Sequence, residues 1–206
     1  MLKLYYAPGT CALASHIALV HSGAQYVAER VDFGSNQQRS PGYLGINPKG
    51  RVPALVTEHG VLTETPAILA YIAQRFPASR LAPLDDPFAF ARAQEFCSYL
   101  CSTVHVMHAH RSRGVRWADR PESLADMKSK VAGNMTDCVA LIEHDMPAGP
   151  WVMGAAYTIC DPYLHTIARW LEGDGVDVAR FPKVADHTRR MAERADVRRA
   201  LAEQKG

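Results

Sequence analysis

The pattern of hydrophobic and polar positions changes character once along this chain. Up to about residue 77, short apolar runs alternate with stretches in which apolar residues recur every three or four positions. From about residue 88 onward, nearly all apolar positions follow the helical spacing. Because strands and amphipathic helices have periods of about 2 and 3.6 residues, the pattern predicts an α/β domain followed by an all-α helical bundle.

The pattern up to about residue 77 predicts the order strand, helix, strand, β-hairpin, helix. This is the order of a thioredoxin-like domain. The strands are expected at 2–6, 26–33, 52–56 and 61–62, and a helix is expected at 65–76. In the other helix, Leu13, Ile17 and Val20 form one apolar stripe that ends at Gly23. The polar segment 34–42 predicts a loop or a frayed short helix.

A linker is predicted where Pro77, Pro83 and Pro87 interrupt a stretch without periodicity, because proline cannot continue the preceding helix. We therefore divide the chain into a thioredoxin-like domain at 1–77, a linker at 78–87 and an all-helical domain at 88–206. Helical patterns in the last domain cover 88–110, 121–145, 158–172 and, as one or two helices, 183–203.

Composition and charge exclude several classes of protein. The 206 residues are 48% hydrophobic and carry 23 Lys plus Arg against 21 Asp plus Glu, a net charge of +2. Such a chain is too apolar to be disordered, and its charge gives no reason to expect a nucleic acid or an anionic membrane as partner. No apolar run reaches the roughly 18 residues of a membrane helix, and the first residues do not resemble a signal peptide. We expect a soluble cytoplasmic protein whose five cysteines are free thiols.

Cys11 is the first candidate for chemistry. It falls between the turn Pro8-Gly9-Thr10 and a helix start, where unpaired N–H groups and the helix dipole favour a thiolate. This position predicts a pKa below the ~8.5 of a free thiol, and hence a nucleophilic or redox-active cysteine. The alternative is a small buried hydrophobic residue. Position 14 is alanine, so a dithiol oxidoreductase of the CxxC type is not indicated.

Two further segments indicate a site for a small zwitterionic peptide thiol. Pro53 opens a strand, and a cis bond before it would leave the backbone of Val52 free to pair with an extended ligand, although an edge-strand proline is the alternative. Glu64 and Thr65 precede a helix, with Thr65 as the expected N-cap and Pro66 as the first helical residue. An acid beside a helix start suits the amino and carboxylate ends of a peptide.

These segments resemble the bacterial beta class of glutathione transferases. The resemblance covers nearly the whole chain and rests on Leu4-Tyr-Tyr6, Pro8-Gly9-Thr10-Cys11-x-Leu13-x-x-His16-Ile17, Asn47-Pro-Lys-Gly-Arg-Val-Pro-Ala-Leu55 and Glu64-Thr65. It implies a homodimer that takes glutathione as co-substrate, with its sulfur against Cys11, and that forms a mixed disulfide there. It also implies that Pro53 is cis and that the Val52 backbone pairs with the cysteinyl part of glutathione. Glu64 and Thr65 would hold the γ-glutamyl end, while Tyr6 is structural.

In the helical domain, the resemblance implies that His105 faces the bound glutathione, where a neutral imidazole accepts the thiol proton or hydrogen-bonds the thiolate. Ser102 would reach the glutathione of the partner subunit. The alternative for both is a polar residue on an ordinary helix face. Cys97, Cys101, His105 and His108 share that face, but at ~1.5 Å per residue the first and last lie roughly 16 Å apart, too far for one zinc ion. We expect no metal.

Thr158 and Asp161 resemble a capping box, in which Thr158 accepts from the N–H three residues on and Asp161 reaches back to the cap. Two positions depart from the family. The loop 34–40 lacks the lysine often found near the glycyl carboxylate of glutathione, and Arg39 is the candidate to replace it. Ser98 stands where an asparagine is frequent.

The predicted activity is transfer of the glutathione thiolate to hydrophobic electrophiles, a detoxification reaction, together with thiol-disulfide or peroxide reduction through Cys11. The electrophile pocket is expected around 107–117. A specialised glutathione-dependent isomerase or dehalogenase on the same fold is the alternative enzyme. A non-catalytic interaction protein that has kept the fold is the alternative outside enzymes.

Overall fold

A computed structural model of the chain describes residues 1–146 and 149–205. Its N-terminal part contains a four-stranded mixed sheet in the order β2-β1-β3-β4. The strands are β1 (Leu2–Tyr6), β2 (Tyr26–Arg30), β3 (Ala54–Thr57) and β4 (Gly60–Thr63). β1 runs parallel to β2 and antiparallel to β3, and β3 and β4 form the predicted hairpin. β2 ends at Arg30, three residues before the predicted end.

Three helices belong to this part: α1 (Ala12–Ser22), α2 (Pro41–Leu44) and α3 (Thr65–Arg75). α1 ends at Gly23, which adopts the left-handed conformation (φ 69°) that glycine accepts without steric cost. The polar segment 34–42 forms a short 3₁₀ turn (Gln37–Arg39) and the start of α2. The thioredoxin-like order predicted from the sequence is therefore confirmed.

The rest of the described chain is helical: α4 (Pro87–Tyr99), α5 (His105–Ala109), α6 (Pro121–Asp145), α7 (Cys160–Ala168), α8 (Pro182–Glu193) and α9 (Ala195–Glu203). A π-helical turn (Leu100–Val104) joins α4 to α5, so the long helix predicted at 88–110 is continuous but not regular. α7 is shorter at both ends than the predicted helix at 158–172. The helical domain is confirmed, while the division at residues 78–87 stays a prediction.

One hydrophobic core connects the sheet to the helical part. Leu4 and Leu55 of the sheet share a buried cluster with Cys97, Met135 and Ile167 of the helices. α1 lies in the middle of the molecule, and its residues from Ala12 to Leu19 are all buried. Its stripe of Leu13 and Ile17 packs on α8 and α9 rather than on the sheet. α1 therefore packs against both parts of the chain and connects them. Among the described helices, none has the length and apolar character needed to cross a membrane.

Candidate active site

A cleft of about 220 Å³ lies between the sheet and the long helix formed by α4 and α5. Cys11, Val52, Pro53, Glu64 and Thr65 line it from the N-terminal part. Cys101, His105, His108, Tyr163 and Trp170 are among the residues that line it from the helical part. The structure therefore brings six predicted site residues, the first five together with His105, to one cleft.

Cys11 stands immediately before α1, at the end of a turn in which Gly9 has a positive φ of 74°. Its Sγ atom lies 3.6 Å from the carbonyl oxygen of Val52, to which the thiol donates. Burial raises the pKa of Cys11, and a hydrogen bond with Thr65 opposes this effect only in part. The sequence-based expectation of a lowered pKa for Cys11 is therefore wrong. Removal of the thiolate from water outweighs the stabilisation that the helix start provides.

Hydrogen bonds to one backbone carbonyl group hold the segment before β3 in place. The peptide bond between Val52 and Pro53 is cis, as the resemblance implied. The carbonyl oxygen of Arg51 accepts hydrogen bonds from the Tyr43 hydroxyl at 2.7 Å and from Asn47 Nδ2 at 2.6 Å. Asn47 is buried and lines the cleft, a role that sequence reasoning missed. These bonds fix the position of Val52 opposite Cys11.

Glu64 and Thr65 lie at the start of α3, but their capping roles differ from the prediction. Glu64 occupies the N-cap position, and Thr65 is the first helical residue, which leaves Pro66 at the second. Glu64 has φ 72° and ψ 122°, a conformation that is rare outside glycine and concentrates at functional sites. Its carboxylate is 2.5 Å from Lys49 Nζ, a partner 15 residues away that the sequence did not reveal. Thr65 is buried with its hydroxyl toward Cys11.

His105 follows the π-helical turn directly. A π turn adds a residue to the helix and changes the direction of the side chains that follow, and such turns are frequent at functional sites. The ring centroid of His105 lies 5.0 Å from that of Trp170. Burial, followed by repulsion from His108, Arg113, Arg116 and Arg51, lowers the pKa of His105 to about 4. The imidazole is therefore neutral near pH 7, and it takes part in hydrogen bonds as an uncharged ring.

Ser102 is exposed and does not line this cleft of its own chain. Its assignment to the partner subunit's glutathione stays a prediction. Tyr6 of β1 is buried and donates its hydroxyl proton to the carbonyl oxygen of Glu203 at 3.1 Å, away from the cleft.

Trp170, His108 and Asp174 form a connected group at the wall of the cleft, and the sequence did not predict their contacts. The indole N–H of Trp170 donates to the Gly9 carbonyl oxygen at 3.1 Å, which ties the helical part to the turn that carries Cys11. His108 stacks on Trp170 with centroids 4.2 Å apart. The Nδ1 atom of His108 lies 2.7 Å from the buried carboxylate of Asp174. No sequence signal marks these contacts, because each joins residues more than 60 positions apart.

The capping interaction at the start of α7 differs in one detail from the prediction. Asp161 reaches back to the Thr158 N–H at 2.7 Å, as expected. The Thr158 hydroxyl accepts from the Cys160 N–H, two residues on, rather than from the third residue. Asp161 also accepts from the Val152 N–H at 2.8 Å and from His187 Nε2 at 3.0 Å.

All five cysteines are free thiols, and Cys101 of the π turn lines the cleft. In the part of the chain that the structure describes, no three His, Cys, Asp or Glu side chains lie close enough to hold a metal ion.

Comparison with known proteins supports one family. The family model of the glutathione S-transferase N-terminal domain matches residues 1–74. The chain is 30% identical to the glutathione S-transferase GstA of Escherichia coli O157:H7, over 98% of both chains. A glutathione transferase homologue from Sulfitobacter, solved with bound glutathione, superposes with a TM-score of 0.95 at 44% identity over 98% of each chain. The bacterial beta class enzyme of Sphingomonas chungbukensis gives a TM-score of 0.85 at 30% identity over 98% of each chain.

Proposed function

The chain belongs to the glutathione S-transferase family, and from this we propose that its cleft binds glutathione with the sulfur beside Cys11. The observation that carries the proposal is the convergence of Cys11, Val52, Thr65 and His105 on one cleft from four separate segments. In this arrangement the Val52 backbone pairs with the cysteinyl part of glutathione. Glu64 and Thr65 hold its γ-glutamyl end.

The proposed reaction is transfer of glutathione to a hydrophobic electrophile, which removes toxic electrophiles from the cell. The neutral imidazole of His105 hydrogen-bonds the glutathione sulfur, and the sulfur forms a bond to the electrophilic carbon. With an aryl halide, the carbon–halogen bond breaks and halide leaves. The proton of the thiol is released to water, because an imidazole with a pKa of about 4 does not retain it.

Cys11 gives the cleft a second proposed reaction. Its thiol attacks glutathione disulfide, the sulfur–sulfur bond breaks, and the products are a Cys11–glutathione mixed disulfide and one free glutathione. The raised pKa means that this reaction is slow until the ligand or a higher pH removes the proton. Intact-mass spectra after exposure to glutathione disulfide should show one adduct that Cys11→Ala lacks.

The test of the proposal combines binding with two activity assays. Calorimetry should detect glutathione binding at millimolar concentrations or below, and Thr65→Val should weaken it about tenfold through loss of a buried hydroxyl contact. Conjugation of glutathione to 1-chloro-2,4-dinitrobenzene measures transferase activity. Reduction of a disulfide that contains glutathione measures thiol reductase activity. Binding without either activity would favour a non-catalytic protein or a specialised isomerase or dehalogenase. No binding would contradict the proposal.

We also propose that the protein is a homodimer. Phe88 of α4 and Leu141 of α6 are large apolar residues that are 77% and 56% exposed, and an adjacent groove between these helices contains Phe96, Tyr99 and Ile142. Burial of such side chains against a second copy would remove apolar surface from water. Analytical ultracentrifugation should give twice the 22.7 kDa of one chain, and Leu141→Glu should shift the mass toward the monomer.

The proposed location is the cytoplasm, because five free cysteines are typical of a protein in a reducing compartment.

A further inference from the structure

The cleft contains an excess of positive charge that its own residues do not neutralise. Arg39 and Arg51 line it from the N-terminal part, and Arg113 and Arg116 line it from the segment after α5. Among the described lining residues, Glu64 is the only carboxylate, and it is already paired with Lys49. None of the four arginines forms an ion pair within residues 1–146 and 149–205.

The four guanidinium groups are close enough to affect one another. Burial lowers the pKa of Arg116, and repulsion from Arg51, Arg113 and Arg39 lowers it further. Arg51, Arg113 and Arg116 also contribute to the lowered pKa of His105. These like charges repel one another, and the described lining residues supply no free counter-charge to relieve the repulsion. Such a group indicates that an anion binds there.

Glutathione, bound as proposed above, accounts for the arginines of the N-terminal part. The Arg39 guanidinium group lies close to Gly50. Its Nη1 atom is 2.9 Å from the position that a Cβ atom would occupy at residue 50. This position is beside the Val52 segment and suits the glycyl carboxylate of glutathione, while the γ-glutamyl end lies at Glu64 and Thr65. Arg113 and Arg116 come from the opposite wall. They belong to the segment where the second substrate is expected.

Aromatic surfaces accompany these two arginines. The guanidinium carbon of Arg113 lies 5.9 Å from the ring centroid of Phe33, and Trp117 follows Arg116 directly and is 48% exposed. Planar guanidinium groups bind carboxylates through two parallel hydrogen bonds, and aromatic rings supply flat contact area for an aryl or unsaturated group. We propose that Arg113 and Arg116 bind a carboxylate of the second substrate, which is therefore an acidic aromatic or unsaturated electrophile.

The inference rests on the proposed transferase function and deepens it. For an unsaturated acid, the glutathione sulfur bonds to the carbon β to the carboxylate and the double-bond electron pair moves to the α carbon. That carbon then takes up the proton released by the thiol, so that the atoms of thiol and acid are all retained in one thioether. The arginines hold the carboxylate and stabilise the negative charge that develops on it.

The test uses two stable product analogues that differ only in one carboxylate, S-benzylglutathione and S-(4-carboxybenzyl)glutathione. Calorimetry on the wild type should show about tenfold tighter binding of the carboxylate compound, as expected for a charge-assisted pair with arginine. In Arg113→Gln and Arg116→Gln, this ratio should fall to about twofold or less. Arg120→Gln is the matched control, because Arg120 lies in the same segment, is exposed and does not line the cleft; it should keep the wild-type ratio.

The outcomes separate the two proposals. Equal affinities of the wild type for both analogues would overturn the acidic-substrate proposal while leaving glutathione binding intact. If Arg120→Gln lowered the affinity ratio of the two analogues as much as Arg113→Gln and Arg116→Gln do, the acidic-substrate proposal would also be overturned. Such a result would show that the ratio depends on net charge and not on the cleft arginines. Two glutathione molecules per chain, reduced to one in Arg116→Gln, would assign the arginines to a second glutathione instead. No binding of glutathione or of either analogue would contradict the transferase function itself and the inference with it.

Discussion

The protonation of Cys11 is decided by two opposed effects on one sulfur atom. The helix start stabilises the thiolate, whereas burial and the Val52 carbonyl acceptor favour the thiol. Burial is the larger effect. The surroundings of Cys11 therefore favour its protonated form, and a ligand that brings a proton acceptor to the cleft changes that balance.

We predict that alkylation of Cys11 by iodoacetamide rises steadily, about tenfold per pH unit, from pH 7 to pH 9, because only the thiolate reacts and the raised pKa keeps its fraction small. Peptide mass spectrometry that follows the Cys11 peptide measures the rate. The Cys101 peptide serves as an internal comparison, since burial also raises the pKa of this partly accessible thiol. A plateau of the Cys11 rate near pH 7 would contradict the prediction and restore the lowered pKa expected from the sequence.

The sequence predicts those site residues whose roles depend on local structure. Cys11 at a helix start, Pro53 at a strand start and Glu64-Thr65 before a helix all carry a local signal, and all line the cleft. Lys49, Asn47 and Trp170 carry none, because their partners come from tertiary packing. The pKa of Cys11 was mispredicted for the same reason, since burial depends on the whole fold.

The start of α7 depends on Asp161, a buried carboxylate that accepts hydrogen bonds from three residues. We predict that Asp161→Ala lowers the free energy of unfolding by about 3–5 kcal/mol, because it leaves the N–H groups of Thr158 and Val152 and the ring of His187 without their acceptor. Urea unfolding followed by circular dichroism measures the change. Asp126→Ala on the exposed face of α6 is the control and should change the stability by about 0.5 kcal/mol or less. A loss for Asp161→Ala no larger than the control would disprove the structural role.

The segment that follows α7 positions the Cys11 turn through Trp170. We predict that Trp170→Phe raises the KM for glutathione about threefold to tenfold, because the phenyl ring fills much of the indole's volume but has no N–H to donate to Gly9. Steady-state kinetics with a fixed electrophile measures this effect. Trp151→Phe is the matched control, since that indole packs edge-on against Tyr157, and it should leave the KM unchanged. Equal KM values for wild type and Trp170→Phe would show that the hydrogen bond does not position the turn.

Helices and strands were predicted well where one periodicity covers the whole element. α6 begins at Pro121 and ends at Asp145, as expected, because proline marks its first residue. The stripe Leu13, Ile17 and Val20 correctly indicated α1, but it faces α8 and α9, and small alanines face the sheet. A sequence pattern shows that a face is buried and does not show against which element. The π turn before His105 was not predicted either, because the helical spacing of apolar residues runs through it without a break.

α1 and the C-terminal end of α9 are joined by a polar cluster whose partners lie up to 188 positions apart. His16 is fully buried in α1, and its Nε2 atom lies 2.8 Å from a carboxylate oxygen of Glu203 near the end of α9. The Tyr26 hydroxyl donates to the same oxygen at 2.6 Å, and Gln204 Nε2 lies 3.2 Å from His16 Nδ1. The amide of Gln204 donates to Nδ1, so the imidazole is neutral and carries its proton on Nε2. α9 is thereby attached to the sheet domain by polar as well as apolar contacts.

Glu203 has a pKa lowered to about 2, because burial, which would raise it, is outweighed by hydrogen bonds from Tyr26, Arg199 and His16. We predict that Glu203→Gln lowers the free energy of unfolding by about 1–2 kcal/mol at neutral pH, since the amide accepts these hydrogen bonds without the charge. A carboxylate whose pKa is lower in the folded state stabilises the fold above its unfolded pKa of 4.5 and loses that contribution as the pH falls toward 2. The difference in the free energy of unfolding between wild type and Glu203→Gln should therefore be constant from pH 7 to about 5 and shrink between about pH 4.5 and pH 3.

Urea unfolding across this range measures the difference. The control is Glu193→Gln, which changes an exposed acid of α8 paired with Arg189, and it should differ from wild type by about 0.5 kcal/mol or less throughout. A difference that grows on acidification would have the wrong sign for a lowered carboxylate pKa and would contradict the assignment of Glu203 as the charged partner that holds the C-terminal helix to the N-terminal domain.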